Sequence, residues 1–366
     1  VVSTVSTKFY TSAWSDWATY TVLPVVTGSL AHHEASDDSK VQIIARETTT
    51  TVTTPQIRLR DYEMKDVVTY SDSTTTTGSA TSTGADSELR NNVVVTVTND
   101  SFSGRVDQYT QLAELNTGIN RNLNSDAFRK DLIESGKGRM WVGYNYLNSS
   151  AGNGYDATSN RFSIGYERDI KDDWILGLQY NRVTTNMNGV DSSTHQGKNH
   201  YGVYSIWTRN DWIIKSDVGY ADNTMTSTRN VENLFFNASK VAGNDWWVSN
   251  RVYTPVWQGF RPYAGYTIGR DKRDGYIETG SIQSYRTVAS VNENANYAEV
   301  GARYEKKFNK LSLLGDVNIS DDSYKTYKAE VSYSVGAKGK VAINVSRQDH
   351  KDLSTNIVGV TAKIDF

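Results

Sequence analysis

From about Gly138 to Phe366 the chain alternates apolar and polar residues and keeps alternating to its end. In KAEVSYSV (328–335), Ala329, Val331, Tyr333 and Val335 share one face, while Lys328, Glu330, Ser332 and Ser334 share the other. Val341, Ile343 and Val345 oppose Lys340, Asn344 and Ser346 in the same way. Val358, Val360, Ala362, Ile364 and Phe366 oppose Thr361, Lys363 and Asp365. A period of two gives each strand one apolar and one polar surface. About twelve such segments follow one another, near 138–147, 159–170, 173–186, 197–208, 211–222, 238–253, 256–272, 293–307, 310–320, 324–336, 339–348 and 354–366.

Their connections alternate in length. Short links such as Arg209-Asn210-Asp211 and Ala337-Lys338-Gly339 follow even-numbered segments. Longer ones, 148–160, 187–199, 223–237 and 273–292, follow odd-numbered segments. Tight turns at one rim and long loops at the other are the arrangement of an outer-membrane barrel, and an even count returns both barrel ends to one rim.

Upstream, the period changes. Val106, Tyr109, Leu112, Leu115, Ile119 and Leu123 recur at three and four, predicting a helix with a polar side of Asn120, Arg121, Asn122 and Asn124. Gly118 weakens that helix by about 1 kcal/mol relative to Ala. Ser125-Asp126 has the form of an N-cap for a second short helix at 127–132. Residues 1–104 are rich in Thr, Ser and Val. Residues 40–54, 56–70 and 92–98 are expected strands, and the low-complexity stretch 71–87 an expected long loop.

Composition sharpens this picture. No run approaches the roughly 20 apolar residues of a membrane helix, whereas a barrel strand needs only about 9–11. Tyr 23, Trp 9 and Phe 9 against Pro 4 suit long paired strands with rings at a membrane interface. Trp141, Trp174, Trp207, Trp212, Trp247 and Trp257 fall at segment ends, which argues for a membrane barrel over a soluble sandwich. Zero Cys excludes disulfides and thiolate metal sites, and a formal charge of −2 gives no case for nucleic acid. The opening Val-Val-Ser-Thr has no signal-peptide pattern, as expected of a mature or trimmed form.

The helix, the twelve segments and the terminal Phe together resemble the translocator domain of classical (type V) autotransporters. The resemblance lies in GRMWVGYNY (138–146), ERDIKDDWILGLQYN (167–181) and NHYGVYSIWTRNDWIIKSDVGYA (199–221), and covers about Arg105 to Phe366. It implies an all-β fold: an up-and-down antiparallel barrel of about twelve strands at 138–366, a helical linker or lumen plug at 105–137, and a small β-rich passenger-like domain at 1–104. It implies a bacterial outer-membrane location, with the N-terminal domain at the cell surface in an adhesive or structural role. Expected partners are outer-membrane lipid and the outer-membrane barrel assembly machinery. Phe366, with Ile364, Ala362 and Gly359, looks like the assembly signal. Asn120, Arg121 and Asn122 of the lumen helix are expected to pair with inward residues such as Arg161, Lys215, Asp217, Lys328 and Glu330. Some members cut themselves at an adjacent Asn pair in that helix. Here the only such pair, Asn91-Asn92, lies upstream, so cleavage is not expected.

No catalytic, cofactor or metal site is expected. His32-His33 beside Glu34, Asp37 and Asp38 has the composition of an exposed polar loop. His195 and His200 fall on a predicted external loop and its edge, and His350 beside Asp349 is the one hint of an acid–base pair. Asp169-Asp172-Asp173 and Asp321-Asp322 have turn composition. Two rivals stay open: a channel plugged by the helix, and a structural subunit of an extracellular or virion assembly reusing the barrel. Ser216, between Ile214 and Val218 on the expected lipid face, keeps the second alive.

Overall fold

The computed structural model describes residues 2–20, 23–37, 41–71, 74–105, 108–126, 137–152, 154–231, 234–280 and 286–366. The chain divides into two compact units, residues 1–35 with 44–102, and residues 36–43 with 103–366.

The first unit is a sheet organised on one long strand. β4 (Val41–Thr69) pairs with β1 (Ser3–Tyr10), β2 (Ala18–Thr19), β3 (Val25–Asp37) and β5 (Thr75–Arg105). Side chains bridge β4 to β5 along its length: Arg46 to Asp100, Arg58 to Glu88, and Thr81 Oγ1 to the Met64 carbonyl. The partner number falls as the β4 number rises, so the pair is antiparallel in one register. Residues 75–87, expected as a loop, therefore belong to a strand. Thr favours the extended backbone, and a sheet wet on both faces needs no apolar alternation to hold it. Among its described residues only Ile44 and Phe102 are buried hydrophobics. Stacked cations do part of a core's work. The Arg58 guanidinium lies 4.8 and 4.9 Å from the rings of Trp14 and Trp17, and Arg90 lies 4.1 Å over Trp17.

The second unit is a closed barrel of twelve antiparallel staves. Seven run β6 (Gly138–Ala151), β7 (Tyr155–Lys171), β8 (Trp174–Asn188), β9 (Ser192–Arg209), β10 (Trp212–Val231), β11 (Leu234–Tyr253) and β12 (Phe260–Arg273). Three short strands, β13 (Tyr276–Gly280), β14 (Arg286–Val288) and β15 (Val291–Asn294), occupy the connection to β16 (Tyr297–Phe308). Then come β17 (Leu311–Ser320), β18 (Lys325–Val335), β19 (Gly339–His350) and β20 (Leu353–Asp365). β20 pairs with β6 from Leu353↔Ala151 to Asp365↔Arg139, which closes the ring.

The expected long connections at 148–160, 187–199 and 223–237 are mostly strand. The staves extend by several residues each and turn tightly at 189–191, for example. Their Ser, Thr and Asn content has the look of a loop because a stave that rises beyond the apolar belt is polar outside as well as inside. At the other rim the turns are compact. Asn210 and Asp211 both take positive φ (48° and 64°), the two-residue hairpin geometry whose twist matches the flanking strands.

Alternation is resolved as inward polar, outward apolar. On β6, Arg139, Trp141, Asn145, Leu147 and Ser149 are buried, while Met140, Val142, Tyr144 and Tyr146 are exposed. Ile343 is 59% exposed and Val358 54%, in the middle of their staves. A soluble sandwich buries its apolar face; this wall turns that face outward.

Inside, four rings lie directly opposite glycines on the neighbouring stave: Trp141↔Gly165, Tyr204↔Gly177, Trp247↔Gly219 and Tyr263↔Gly301. A Cβ on Gly165 would stand 2.3 Å from the Trp141 ring, and one on Gly177 2.2 Å from Tyr204. Each glycine makes room for a ring to lie flat along the wall. Trp141 and Trp247, expected at the membrane interface, are therefore lumen residues.

Candidate functional site in the barrel lumen

α1 (Gln108–Asp126) lies in the barrel unit and carries two unlike faces. Leu112, Leu115, Ile119 and Leu123 form one buried cluster with inward residues of six staves, among them Leu147, Ala157, Val183, Met225, Trp247 and Ile357. This is the three-and-four pattern of the sequence put to use. Ser125 and Asp126 are the last residues of α1 rather than the start of a second helix, and 127–132 lies outside the described residues.

The polar side is clamped. Asn116 Nδ2 donates to Asp245 at 3.2 Å and to Asp271 at 3.4 Å. Asn120 Nδ2 donates to Asp245 at 3.2 Å, and Lys198 Nζ reaches Asn120 Oδ1 at 2.8 Å and Asp245 at 2.5 Å. Lys198 and Asp245 are almost wholly buried, so each charge depends on the other and on the helix amides. Arg121 bonds Ser320 Oγ at 3.0 Å and pairs with Asp322. Its guanidinium is held between the rings of Tyr297 (3.5 Å) and Tyr324 (4.1 Å). The Tyr324 hydroxyl donates to the Glu114 carbonyl at 3.0 Å. At Gly118 a Cβ would come within 3.1 Å of Gln348 Oε1, so a close approach to the wall uses the glycine that propensity disfavours. Partners thus come from β9, β11, β12, β16, β17 and the β17–β18 turn: the helix sits inside the ring.

Asn120 and Arg121 bond wall residues other than the ones expected, and the Asn122 side chain lies outside the described residues. Arg161, Lys215, Asp217, Lys328 and Glu330 do face inward. Lys215 pairs with Asp217 at 3.6 Å and Lys328 with Glu330 at 3.9 Å, each along its own stave. Asp322 lies in the expected turn and from there also anchors Arg121. Lys198, Asp245, Asp271 and Tyr324 were not expected as site residues. Lys198 fell at the edge of a segment that looked like a loop, and its inward parity was the only signal.

Nearer the short turns the lumen carries its own network. Arg139 and Glu167, both fully buried, pair at 2.9 Å. Tyr204 donates to Glu167 at 2.5 Å and receives Trp141 Nε1 at 3.3 Å. His200, expected at a loop edge, is buried and stacks on Trp247 at 4.9 Å. His350 stacks on Tyr324 at 4.0 Å, while Asp349 turns to Arg347 and Ser354, so the two make no acid–base pair. His195 bonds Asn186 on the exposed wall. The side chains of His33, Glu34 and Asp37, and all of Asp38, lie outside the described residues. Among the described residues no three His, Asp or Glu stand close enough to hold a metal ion.

Residues 137–365 match the family described as Autotransporter beta-domain. This chain belongs to that family. It is 22% identical over 245 residues to Outer membrane protein A of Rickettsia conorii, a match covering 57% of this chain and only 11% of that far longer protein. The fold is that of the translocator domain of autotransporter NalP from Neisseria meningitidis, at a TM-score of 0.64, 12% identity and coverage of 71% of this chain and 98% of that one. The β-domain of the Bordetella autotransporter BrkA matches at a TM-score of 0.50 and 10% identity, over 62% and 98% of the two chains.

This autotransporter barrel is a bacterial outer-membrane protein, and its outer wall is built accordingly. Trp174, Trp212, Trp257, Tyr333 and Phe366 lie exposed toward the short-turn rim. Tyr144, Tyr180, Tyr201 and Tyr220 lie near the middle of their staves, where the Tyr144 hydroxyl reaches Asn160 at 2.5 Å and Tyr180 reaches Asn199 at 3.0 Å. Ser216 does face outward, but its hydroxyl donates to Asn250 at 2.6 Å on the next stave, so it presents no unpaired donor to lipid. Phe366, Ile364 and Ala362 share this outer face; Phe366 stacks on Tyr166 at 6.2 Å and its N–H bonds the Gly138 carbonyl at 3.0 Å. Gly359 faces inward, opposite Asn145.

Proposed function

We propose that this chain is an outer-membrane translocator in which residues 138–366 anchor, 105–137 fill the lumen and 1–104 are displayed at the cell surface. The displayed part would act in adhesion or as a structural element, with a ligand still to be found. The observation that carries the reading is the clamp on α1: the segment joining the N-terminal unit to the barrel is seated in the lumen by buried polar bonds. Phe366, Ile364 and Ala362 offer the barrel assembly machinery an apolar edge ending in a ring, which supports their role as an assembly signal.

Planar-bilayer recording tests the anchoring reading. The intact chain should show small, infrequent openings, and a variant with Asn116, Asn120 and Arg121 all changed to Ala should open more often. A large, steady current from the intact chain would favour a channel instead. Surface biotinylation of whole cells should label the N-terminal lysines. Removing Phe366 should slow assembly; unchanged assembly would remove the signal assignment.

A further inference from the structure

The outer wall carries one feature that simple lipid solvation does not require: a groove of about 570 Å³ across β16–β20. Its floor is made by small residues on adjacent staves, Gly315 beside Ala329, with Ala302 one row away. A Cβ on Gly315 would meet nothing within 4 Å, so the dent is open space rather than room for a neighbouring ring. Phe260 and Tyr304, in ring contact at 5.1 Å, wall one end, and Val345 and Val358 the other side. The volume lies within the range of ligand pockets, about 300–1,000 Å³.

The groove ends at a cation. Arg347 stands on β19 above the outward Val341, Ile343 and Val345, toward the Lys351-Asp352 turn. Asp349 fixes its Nε at 3.0 and 3.1 Å, and the two Nη groups have no further partner among the described residues. Lys325 lies across from Asp349 on β18, so a second cation stands opposite the carboxylate that holds Arg347. A held guanidinium with both Nη groups open matches a phosphate geometrically as well as in charge.

We propose that the groove is a binding site for a single phosphate-bearing lipid of the leaflet at the Lys351-Asp352 rim. One acyl chain lies over Gly315 and Ala329, and the phosphate sits on Arg347. The wall is already a membrane surface, so the occupant comes from the membrane. What distinguishes this site from the rest of the wall is a dent and a fixed cation in line.

Native mass spectrometry of the full chain in mild detergent, titrated with diphosphorylated lipid A, tests this. One adduct should persist at collision energies that strip the others. Arg347→Gln should weaken it about tenfold, the value of one lost charge-assisted contact. Gly315→Phe should abolish it, and Val218→Phe on the far wall should leave it unchanged. Ala329→Leu serves as a second filling variant if Gly315→Phe loses heat-modifiable migration. Equal binding by Arg347→Gln and the filling variant, or equal binding of dephosphorylated lipid A, would overturn the proposal. So would displacement of the adduct by millimolar inorganic phosphate, which would mark a free-anion site.

Discussion

Lys198 and Asp245 meet at 2.5 Å inside the barrel, and both also bond Asn120 of the helix. The wall and the plug are therefore one electrostatic unit. Taking away one member leaves a buried charge without its partner. Asp245→Ala should destabilise the folded barrel by about 3–5 kcal/mol, read from urea unfolding in lipid. Lys198→Met with Asp245→Leu should recover most of that loss, because the apolar pair leaves no charge stranded. Failure of the double variant to recover would mean that the carboxylate's bonds to Asn116 and Asn120 outweigh the ion pair.

A second prediction concerns the wall itself. Gly165→Ala places a methyl group where the Trp141 ring lies, 2.3 Å from the nearest ring atom. Overpacking of this kind costs about 1–3 kcal/mol. Combining it with Trp141→Leu should cost less than the two changes summed, and a double-mutant cycle of unfolding midpoints measures the coupling. Strict additivity would show that ring and glycine are only neighbours.

A third falls on the N-terminal unit. A hydrogen bond from Lys8 holds the Asp86 carboxyl below the ordinary aspartate range, and the same bond raises Lys8. For a depressed carboxylate the pair's contribution is present above the unfolded value, near pH 4, and is lost as pH falls through the folded one. Carbon NMR titration should place the Asp86 midpoint below that of an ordinary aspartate, and Lys8→Met should move it upward. The opposite movement would show that the bond is not the cause.

The barrel was legible because its physics is periodic. Twelve segments of alternating residues cannot hide, and the burial of Arg161, Lys215 and Asp217 follows from parity alone. Strand ends were less legible. Thr194, Gln196 and Lys198 alternate inward on β9, yet their outward neighbours are polar too, so the stretch had no contrast to betray a strand. Residues 75–87 escaped for the same reason in a sheet wet on both sides. The clamp escaped differently. Which inward charge meets Asn120 depends on the stagger of staves around the ring, a three-dimensional fact with no trace in local pattern. Trp141 shows the converse: its position near a segment end suggested an interface, and only its parity, matched to Gly165 across the register, placed it in the lumen.

Among its described residues the N-terminal unit has few buried side chains, and many of the contacts that hold it join β4 to a strand beside it. Such a structure has no interior that must be assembled before any of it is stable. Each rung, such as Arg58 with Glu88 or Arg46 with Asp100, can close as soon as its two residues lie side by side. Loss of one rung is therefore expected to weaken the pair locally and to leave the rungs on either side of it in place.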